Sequence, residues 1–312
     1  VTAARSHRIV RSGGSLDYQP TTMGIAERED PLPGDVVVKI ENLSFTYSSG
    51  ERPALSNINL EITRGEYLGI MGLNGAGKTT LGLSINGIVP QSTMGIYEGQ
   101  VTIEGLDTST TPVREMARTV GIVFDNPEFQ MSQVSAAEEV ALGLENLGVP
   151  NEEMPPRVSA ALTTVGLAGF EERSPMGLSG GQQQRLAIAS VLAMHPKILF
   201  MDEPTSNLDP IGKEEVFELA RKLNREEGLT VIVAEHESEV LAAYADRIVV
   251  LHEGKILMIG TPTEVFSRGD ELAKIGIRVP QATDLAIALS KSGAKDLPVT
   301  TGEAIKWLEA RG

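Results

Sequence analysis

The chain has 312 residues, a formal net charge of −15 at pH 7 and no cysteine. The missing cysteines exclude disulfides and thiolate metal sites, and the acidity argues against sequence-independent nucleic-acid binding, which needs basic patches. No stretch approaches the ~20 consecutive apolar residues of a membrane-spanning helix. A chain of this length can bury one large α/β domain plus a small appendage.

The first part of the chain divides into two regions. Residues 1–34 contain Gly, Ser and Pro, which interrupt helices and strands, and show no apolar periodicity. This pattern predicts a flexible tail. Residues 35–110 contain short β runs, including an apolar stretch at 66–71 that is typical of a buried strand. A helix is predicted to follow over residues 78–86.

Between that strand and that helix, residues 72–79 read Gly-Leu-Asn-Gly-Ala-Gly-Lys-Thr, a complete G-x-x-x-x-G-K-[ST] phosphate loop. Its glycines let the backbone curl, so that N–H groups and a helix N-terminus converge on phosphates. Lys78 is predicted to reach the β- and γ-phosphates, and Thr79 to ligate Mg²⁺ through its hydroxyl. The loop therefore predicts a nucleotide triphosphate and Mg²⁺ as ligands.

The middle of the chain is richer in helix. An apolar strand is predicted at 120–124, and helical spacing of apolar residues covers 136–147 and about 154–167. Residues 178–182 then read Leu-Ser-Gly-Gly-Gln, in which Ser179 and Gln182 have the spacing of a capping box. A helix is predicted to begin there and to run through about Ala193, with its bare first turn open to a phosphate.

Two further strands complete the predicted core. Residues 197–202 form an apolar run that ends in Asp202, which can hold Mg²⁺, and Glu203 follows, able to act on the water that attacks the γ-phosphate. Two surface acids after a core strand would be the simpler interpretation, but the phosphate loop favours the catalytic one. A strand at 230–234 precedes His236.

Residues 266–312 lie beyond this pattern. Helices are predicted at 284–291 and, from a second capping box at Thr300 and Glu303, at 300–310. Two interpretations are open: this extension packs as a cap on the domain, or it contacts the second subunit of a dimer.

In this combination and order, the motifs resemble the nucleotide-binding subunit of an ATP-binding cassette (ABC) transporter over residues 36 to about 265. The resemblance implies a P-loop NTPase fold of the α/β class: a mostly parallel sheet, an antiparallel β subdomain, a helical subdomain at about 126–178 and a small C-terminal helical extension. It also implies that a second ABC ATPase completes the site, as a homo- or heterodimer.

The resemblance assigns roles by position. It implies that Tyr47 stacks on adenine, that His236 joins Glu203 in catalysis as the switch histidine, and that Asp209 belongs to the loop that contacts the dimer partner. The implied ATP-binding residues are Tyr47, Gly72, Leu73, Asn74, Gly75, Ala76, Gly77, Lys78, Thr79, Thr80 and Asp125. The implied signature residues, which act on ATP bound to the partner, are Leu178, Ser179, Gly180, Gly181 and Gln182.

Asp125 departs from the pattern, because the family usually has glutamine there to sense Mg²⁺ and the attacking water. A carboxylate can still accept from metal-bound water, but when ionised it cannot donate as an amide does. Either Asp125 takes this role, or Asn126 or Gln130 covers it.

Several strings resemble one branch, the ATPase subunits of energy-coupling factor (ECF) transporters, which import vitamins or transition-metal ions. The resemblance implies a transmembrane coupling protein and a substrate-binding membrane subunit as partners, and a peripheral position on the cytoplasmic face of the cell membrane. Candidate contacts with the membrane partner are Phe129, Met131 and the helix at 136–148. The alternatives are a conventional ABC importer ATPase and a soluble, non-transport ABC ATPase. The strings occupy residues 123–130, 137–148, 234–237, 245–251 and 276–280.

Overall fold

The computed structural model describes residues 35–290 and 297–311, so the tail predicted for 1–34 lies outside the described residues. The strands are β1 (Val36–Tyr47), β2 (Leu55–Thr63), β3 (Tyr67–Met71), β4 (Gly95–Ile103), β5 (Leu106–Asp107), β6 (Val120–Val123), β7 (Ile198–Asp202), β8 (Thr230–Glu235), β9 (Arg247–His252) and β10 (Lys255–Gly260). The helices are α1 (Lys78–Ile85), α2 (Ile88–Gln91), α3 (Val113–Met116), α4 (Ala136–Leu147), α5 (Met154–Thr164), α6 (Gly180–Leu192), α7 (Pro210–Glu227), α8 (Ser238–Tyr244), α9 (Pro262–Phe266), α10 (Gly269–Lys274), α11 (Gln281–Leu289) and α12 (Thr301–Glu309).

The strands form two sheets. A four-stranded antiparallel sheet has the order β2-β1-β4-β5, and a six-stranded sheet has the order β10-β9-β3-β8-β7-β6. In the larger sheet β9, β3, β8, β7 and β6 run parallel, and β10 pairs antiparallel with β9. This confirms the predicted α/β class with a mostly parallel sheet and an antiparallel β part.

The central strands of the larger sheet separate two hydrophobic cores. Because side chains alternate along a strand, Leu199 and Met201 of β7 enter the core formed with helices α4 to α8. Ile198 and Phe200 enter the core formed with α1 and the smaller sheet. Strands β3 and β8 alternate in the same way. Every residue of these three strands is buried, which is why they read as continuous apolar runs.

The strands predicted at 66–71, 120–124, 197–202 and 230–234 correspond to β3, β6, β7 and β8 within one residue at each end. The helix predicted over 136–147 is confirmed as α4. The helix predicted over 154–167 is shorter, because α5 ends at Thr164 and Gly166 follows in the left-handed region at φ 73°. The helix predicted over 284–291 begins earlier, at Gln281 directly after Pro280.

The C-terminal extension packs on the domain through a few apolar side chains. Ile277 and Val299 join the core that contains α4 to α8, and the Thr283 hydroxyl, fully buried, donates to the Pro298 carbonyl at 2.7 Å. The capping box predicted at Thr300 and Glu303 is confirmed at the start of α12. Among residues 35–290 and 297–311, no helix is both long and apolar enough to cross a bilayer.

Replacing Gly82 by alanine tests how closely α1 packs on β7. The added β-carbon would lie 2.4 Å from the ring of Phe200, which is fully buried, so the ring or the helix would have to shift. We expect the free energy of unfolding to fall by about 1–3 kcal/mol, despite the better helix propensity of alanine. Denaturant unfolding measures the change.

Gly177→Ala is the matched control, because a β-carbon there would meet no atom within 4 Å. Its free energy of unfolding should stay within about 0.5 kcal/mol of the original. If both variants were equally stable, the close packing of α1 on β7 would be wrong.

Candidate functional site

The phosphate loop connects β3 to α1, and at two of its glycines any side chain would clash with neighbouring backbone. A β-carbon at Gly72 would lie 2.6 Å from the Leu251 carbonyl oxygen, and one at Gly77 would lie 2.6 Å from that of Ala54. Gly77 also has φ 107°, in the region that favours glycine. Glycine is therefore required both where the loop leaves β3 and where it enters α1.

Lys78, the first residue of α1, folds back over the loop. Its buried Nζ donates to the carbonyl oxygens of Gly72 at 2.8 Å and of Leu73 at 3.3 Å. The same Nζ lies 3.0 Å from Glu203 Oε1. One ammonium group thus joins the loop after β3 to the carboxylate after β7, which confirms that these two motifs meet.

Thr79 and Asp202 form the second contact between the two motifs. The Thr79 hydroxyl donates to Asp202 Oδ2 at 2.5 Å. Asp202 Oδ1 is buried and has no hydrogen-bond partner within the described residues. Burial raises the pKa of the Asp202 carboxyl; the Thr79 hydrogen bond lowers it, and the charge of Glu203 raises it further. A hydroxyl and an orphaned carboxylate oxygen are hard oxygen donors that fit Mg²⁺.

Glu203 and His236 follow the neighbouring strands β7 and β8. Glu203 has φ 45°, unusual for a residue with a side chain, and its N–H donates to the Ala234 carbonyl at 2.9 Å. His236 Nδ1 lies 3.9 Å from Glu203 Oε2, and the histidine side chain is half exposed. The predicted catalytic pair is thus brought together at the carboxyl edge of the sheet.

Asp125 lies in a turn that several side chains hold in place. The Phe124 N–H donates to Gln130 Oε1 at 3.0 Å, and the Ser206 hydroxyl donates to the Asp125 carbonyl at 3.3 Å. The Asn126 side chain accepts from the N–H of Glu128. Asn126 and Gln130 are therefore both engaged in shaping the turn, and the idea that either covers for Asp125 stays a prediction.

A cleft of about 430 Å³ adjoins this turn within the one chain. Its wall includes Asp125, Leu178 and Gly180, so the turn and the start of α6 face the same space. The Ser179 side chain accepts from the Gln182 N–H, and the Gln182 side chain accepts from the Ser179 N–H, which confirms the capping box. Ser179 and Gly180 are exposed.

The structure separates this signature segment from the phosphate loop. In the described part of the chain, no hydrogen bond or ion pair joins residues 178–182 to residues 72–80. The chain therefore carries two groups of predicted site residues that are not directly bonded to each other: the cluster around Lys78 and the start of α6.

Tyr47 and Asp209 have local partners that the sequence patterns did not predict. The Tyr47 hydroxyl is 3.0 Å from Thr80 Oγ1, and its ring meets Phe45 edge-on at 4.9 Å. Tyr47 is thus fixed beside α1 with its ring only partly buried. The Asp209 carboxylate accepts from the Gly212 N–H at 2.7 Å and so caps α7.

Glu235 lies among the site residues, although the sequence patterns did not predict it as one. Its side chain is buried, and it contacts both Thr205 and His236. The available signal was an ionisable residue at the end of an apolar run, directly before His236.

Comparison with known proteins identifies relatives of the whole domain. A family model described as ABC transporter matches residues 55–206. A putative ABC transporter ATP-binding protein of Pyrococcus abyssi is 46% identical over 269 residues, which cover 86% of this chain and 96% of the relative. The energy-coupling factor transporter ATP-binding protein EcfA1 of Caldanaerobacter subterraneus subsp. tengcongensis is 43% identical over 279 residues, 87% of this chain and 98% of the relative.

Among solved structures, CbiO1 from Clostridium perfringens, described as part of the ABC transporter complex CbiONQ, superposes with a TM-score of 0.68 at 35% sequence identity. The match covers 81% of this chain and 99% of CbiO1. This similarity extends over nearly the full length of CbiO1, and not only over the motifs.

Replacing Asp202 by asparagine tests how far the burial of its ionised carboxylate lowers the free energy of unfolding. Because the pKa of Asp202 is raised in the folded chain, ionisation costs more there than in the unfolded chain, and stability falls as pH rises from the unfolded pKa through the folded one. At pH 7 we therefore expect the free energy of unfolding of Asp202→Asn to be higher than that of the original. The advantage should shrink as pH falls through the raised pKa.

Denaturant unfolding over a pH series, in EDTA and without nucleotide, measures this difference. Asp284→Asn is the control, because Asp284 is exposed and forms no side-chain hydrogen bond or ion pair within the described ranges. Lower stability of Asp202→Asn at pH 7 would contradict the prediction.

Proposed function

Because the chain belongs to the ABC transporter family of ATP-binding proteins, we propose that it is the ATP-hydrolysing subunit of an ECF-type importer. The observation that carries the proposal is the convergence of Lys78, Asp202 and Glu203 at one edge of the sheet. The similarity to EcfA1 and to CbiO1 supports the ECF branch within the family. The cargo, a vitamin or a transition-metal ion, follows only from that branch.

In this proposal the phosphate loop holds the triphosphate of ATP. Residues 72–80 supply N–H groups and the Lys78 ammonium, and Tyr47 offers its partly exposed ring to the adenine. Thr79 and Asp202 hold Mg²⁺, which supplies positive charge that neutralises the phosphates when it is bound. The orphaned Asp202 Oδ1 supports this assignment, because a ligand for a cation needs a free lone pair.

Glu203 then serves as the general base. Its carboxylate accepts a proton from the water that attacks the γ-phosphate, and His236, beside it, contacts the same phosphate. Asp125 extends the site toward the signature segment, through the cleft that both line.

A second ATPase subunit completes the site. Within one chain, the exposed residues Ser179 and Gly180 are not bonded to the phosphate loop, and they would contact ATP held by a partner. Large apolar side chains stand exposed next to the signature and after Asp209: Met176 is 61% exposed and Ile211 is 71% exposed. ATP would close this dimer and hydrolysis would open it, because the two states bind ATP differently.

The helical part of the chain offers a surface for a membrane partner. A cleft of about 310 Å³ between α4, α6 and the core is lined by Leu142, Met194 and Met131, among others. Phe129, next to it, is 88% exposed. Met131 is only 8% exposed and contributes to the wall of the cleft, so Phe129 is the more accessible of these two predicted contacts. The protein would then lie on the cytoplasmic face of the membrane, attached through the transmembrane coupling protein and the substrate-binding subunit.

Recovery of the tagged chain from native membranes in detergent, followed by mass spectrometry, tests the assembly. We expect a transmembrane coupling protein, a substrate-binding membrane subunit and, for a heterodimer, a second ATPase. A paired conventional permease would instead assign the protein to ordinary importers. Ribosomal or DNA-repair proteins without a membrane partner would contradict transport.

Glu203→Gln tests the general base. The amide cannot accept the proton, so we expect kcat to fall by about 100-fold or more, with ATP still bound and the dimer accumulating on size-exclusion chromatography in ATP. Hydrolysis at the original rate would show that Glu203 is not the base.

Lys78→Ala is the contrasting variant, because Lys78 is proposed to bind phosphate directly. Its affinity for ATP should fall by about tenfold or more, as measured by calorimetry. Unchanged ATP affinity would contradict the assignment of the phosphate loop.

A further inference from the structure

Glu235, at the end of β8, is a carboxylate buried beneath the proposed site. Its side chain is 1% exposed, and within residues 35–290 and 297–311 no lysine or arginine forms an ion pair with it. Burying a carboxylate is costly unless hydrogen bonds or charge compensate. A leucine or valine at the end of this apolar strand would carry no such desolvation cost. The contacts of the carboxylate therefore have to explain why it is there.

Both oxygens of Glu235 have hydrogen-bond partners in segments that carry the proposed catalytic residues. Oε1 accepts from the Thr205 hydroxyl at 2.8 Å, two residues after Glu203. Oε2 accepts from the backbone N–H of His236 at 2.9 Å. Glu235 therefore connects the turn after β7 to the turn after β8.

Oε2 also faces the imidazole of His236. Nδ1 lies 3.5 Å from Glu235 Oε2 and 3.9 Å from Glu203 Oε2. The other oxygen of Glu203 lies 3.0 Å from Lys78 Nζ, whereas Glu235 has no competing cation among the described residues. Glu235 is thus the nearer of the two carboxylates to Nδ1 and the one not shared with an ammonium.

We infer that Glu235 is a positioning residue for His236, whose Nδ1 proton it holds. A negative charge beside one ring nitrogen favours the proton on that nitrogen, and a hydrogen bond formed there fixes the tautomer. A carboxylate at Nδ1 keeps that nitrogen protonated and leaves Nε2 available to the γ-phosphate. The Thr205 bond fixes the carboxylate relative to Glu203. The inference rests on the proposed function for its consequence, but not for the tautomer itself.

Nitrogen-15 NMR of the histidine-labelled, nucleotide-free protein tests the tautomer directly. The chain has four histidines, and His236→Gln identifies the signals of His236 by their loss. At a pH where this ring is neutral, we expect Nδ1 to carry the proton and Nε2 to be the bare nitrogen. A neutral ring protonated at Nε2 would overturn the inference, whatever the ATPase activity.

Glu235→Gln then tests the consequence for catalysis, since it keeps the shape and removes the charge. We expect kcat to fall by about tenfold or more while KM for ATP stays within about twofold, and the Nδ1 signal to move toward that of an unprotonated nitrogen. Glu237→Gln is the matched control: it removes the same charge on the other side of His236, where Glu237 pairs with Lys213. We expect kcat of this variant within about twofold of the original.

Thr205→Val distinguishes the effects of the two hydrogen bonds that the Glu235 carboxylate accepts. It removes the hydroxyl bound to Oε1 but keeps the carboxylate, so the Nδ1 tautomer should persist while kcat falls. If Glu235→Gln kept both the tautomer and kcat, the inference would be wrong. If Glu235→Gln failed to fold, the His236 tautomer measured in the original protein would still support or overturn the inference. A Glu203→Gln variant that hydrolyses normally would refute the proposed base and leave the tautomer measurement intact.

Discussion

Burial of β3, β8 and β7 on both faces is the constraint on which the rest of the structure depends. These three strands are neighbours in the parallel sheet, and each places alternate side chains into two different cores. Polar groups are therefore excluded along their length and are admitted only where they end. Because parallel strands end on the same edge, the loop after β3, the acids at the end of β7 and His236 after β8 lie close together.

Polar groups that are brought together in this way must supply one another's hydrogen bonds and charge partners, and they do so only in part. Lys78 is balanced by two carbonyls and Glu203, while Asp202 keeps one buried oxygen without a partner in the described chain. An unpaired buried oxygen reduces stability, yet it is the group that a cation requires. The buried oxygen that reduces stability at the edge of the sheet is thus the same atom that is proposed to bind Mg²⁺.

The sequence predicted what depends on local pattern and missed what depends on contacts between distant segments. Apolar runs placed β3, β6, β7 and β8 to within one residue, and residue spacing located the capping box at Ser179. The start of α11 at Gln281 was missed, because a helix that follows a proline has no capping side chain to mark it. Glu235 was missed because its role depends on a hydrogen bond with Thr205, which lies 30 positions away along the chain. Only the pairing of β7 with β8 brings the two residues together.

The predicted site residues of one chain form two groups with different surroundings. The edge of the sheet collects the phosphate loop, the acids and the histidine, whereas the start of α6 faces a different cleft together with Asp125. The Ser206 hydroxyl binds the Asp125 carbonyl, so the turn after β6 and the segment after Glu203 are tied within the chain. In the proposed dimer, the segment after Glu203 would thus keep a direct contact with the turn that lines the cleft beside the signature.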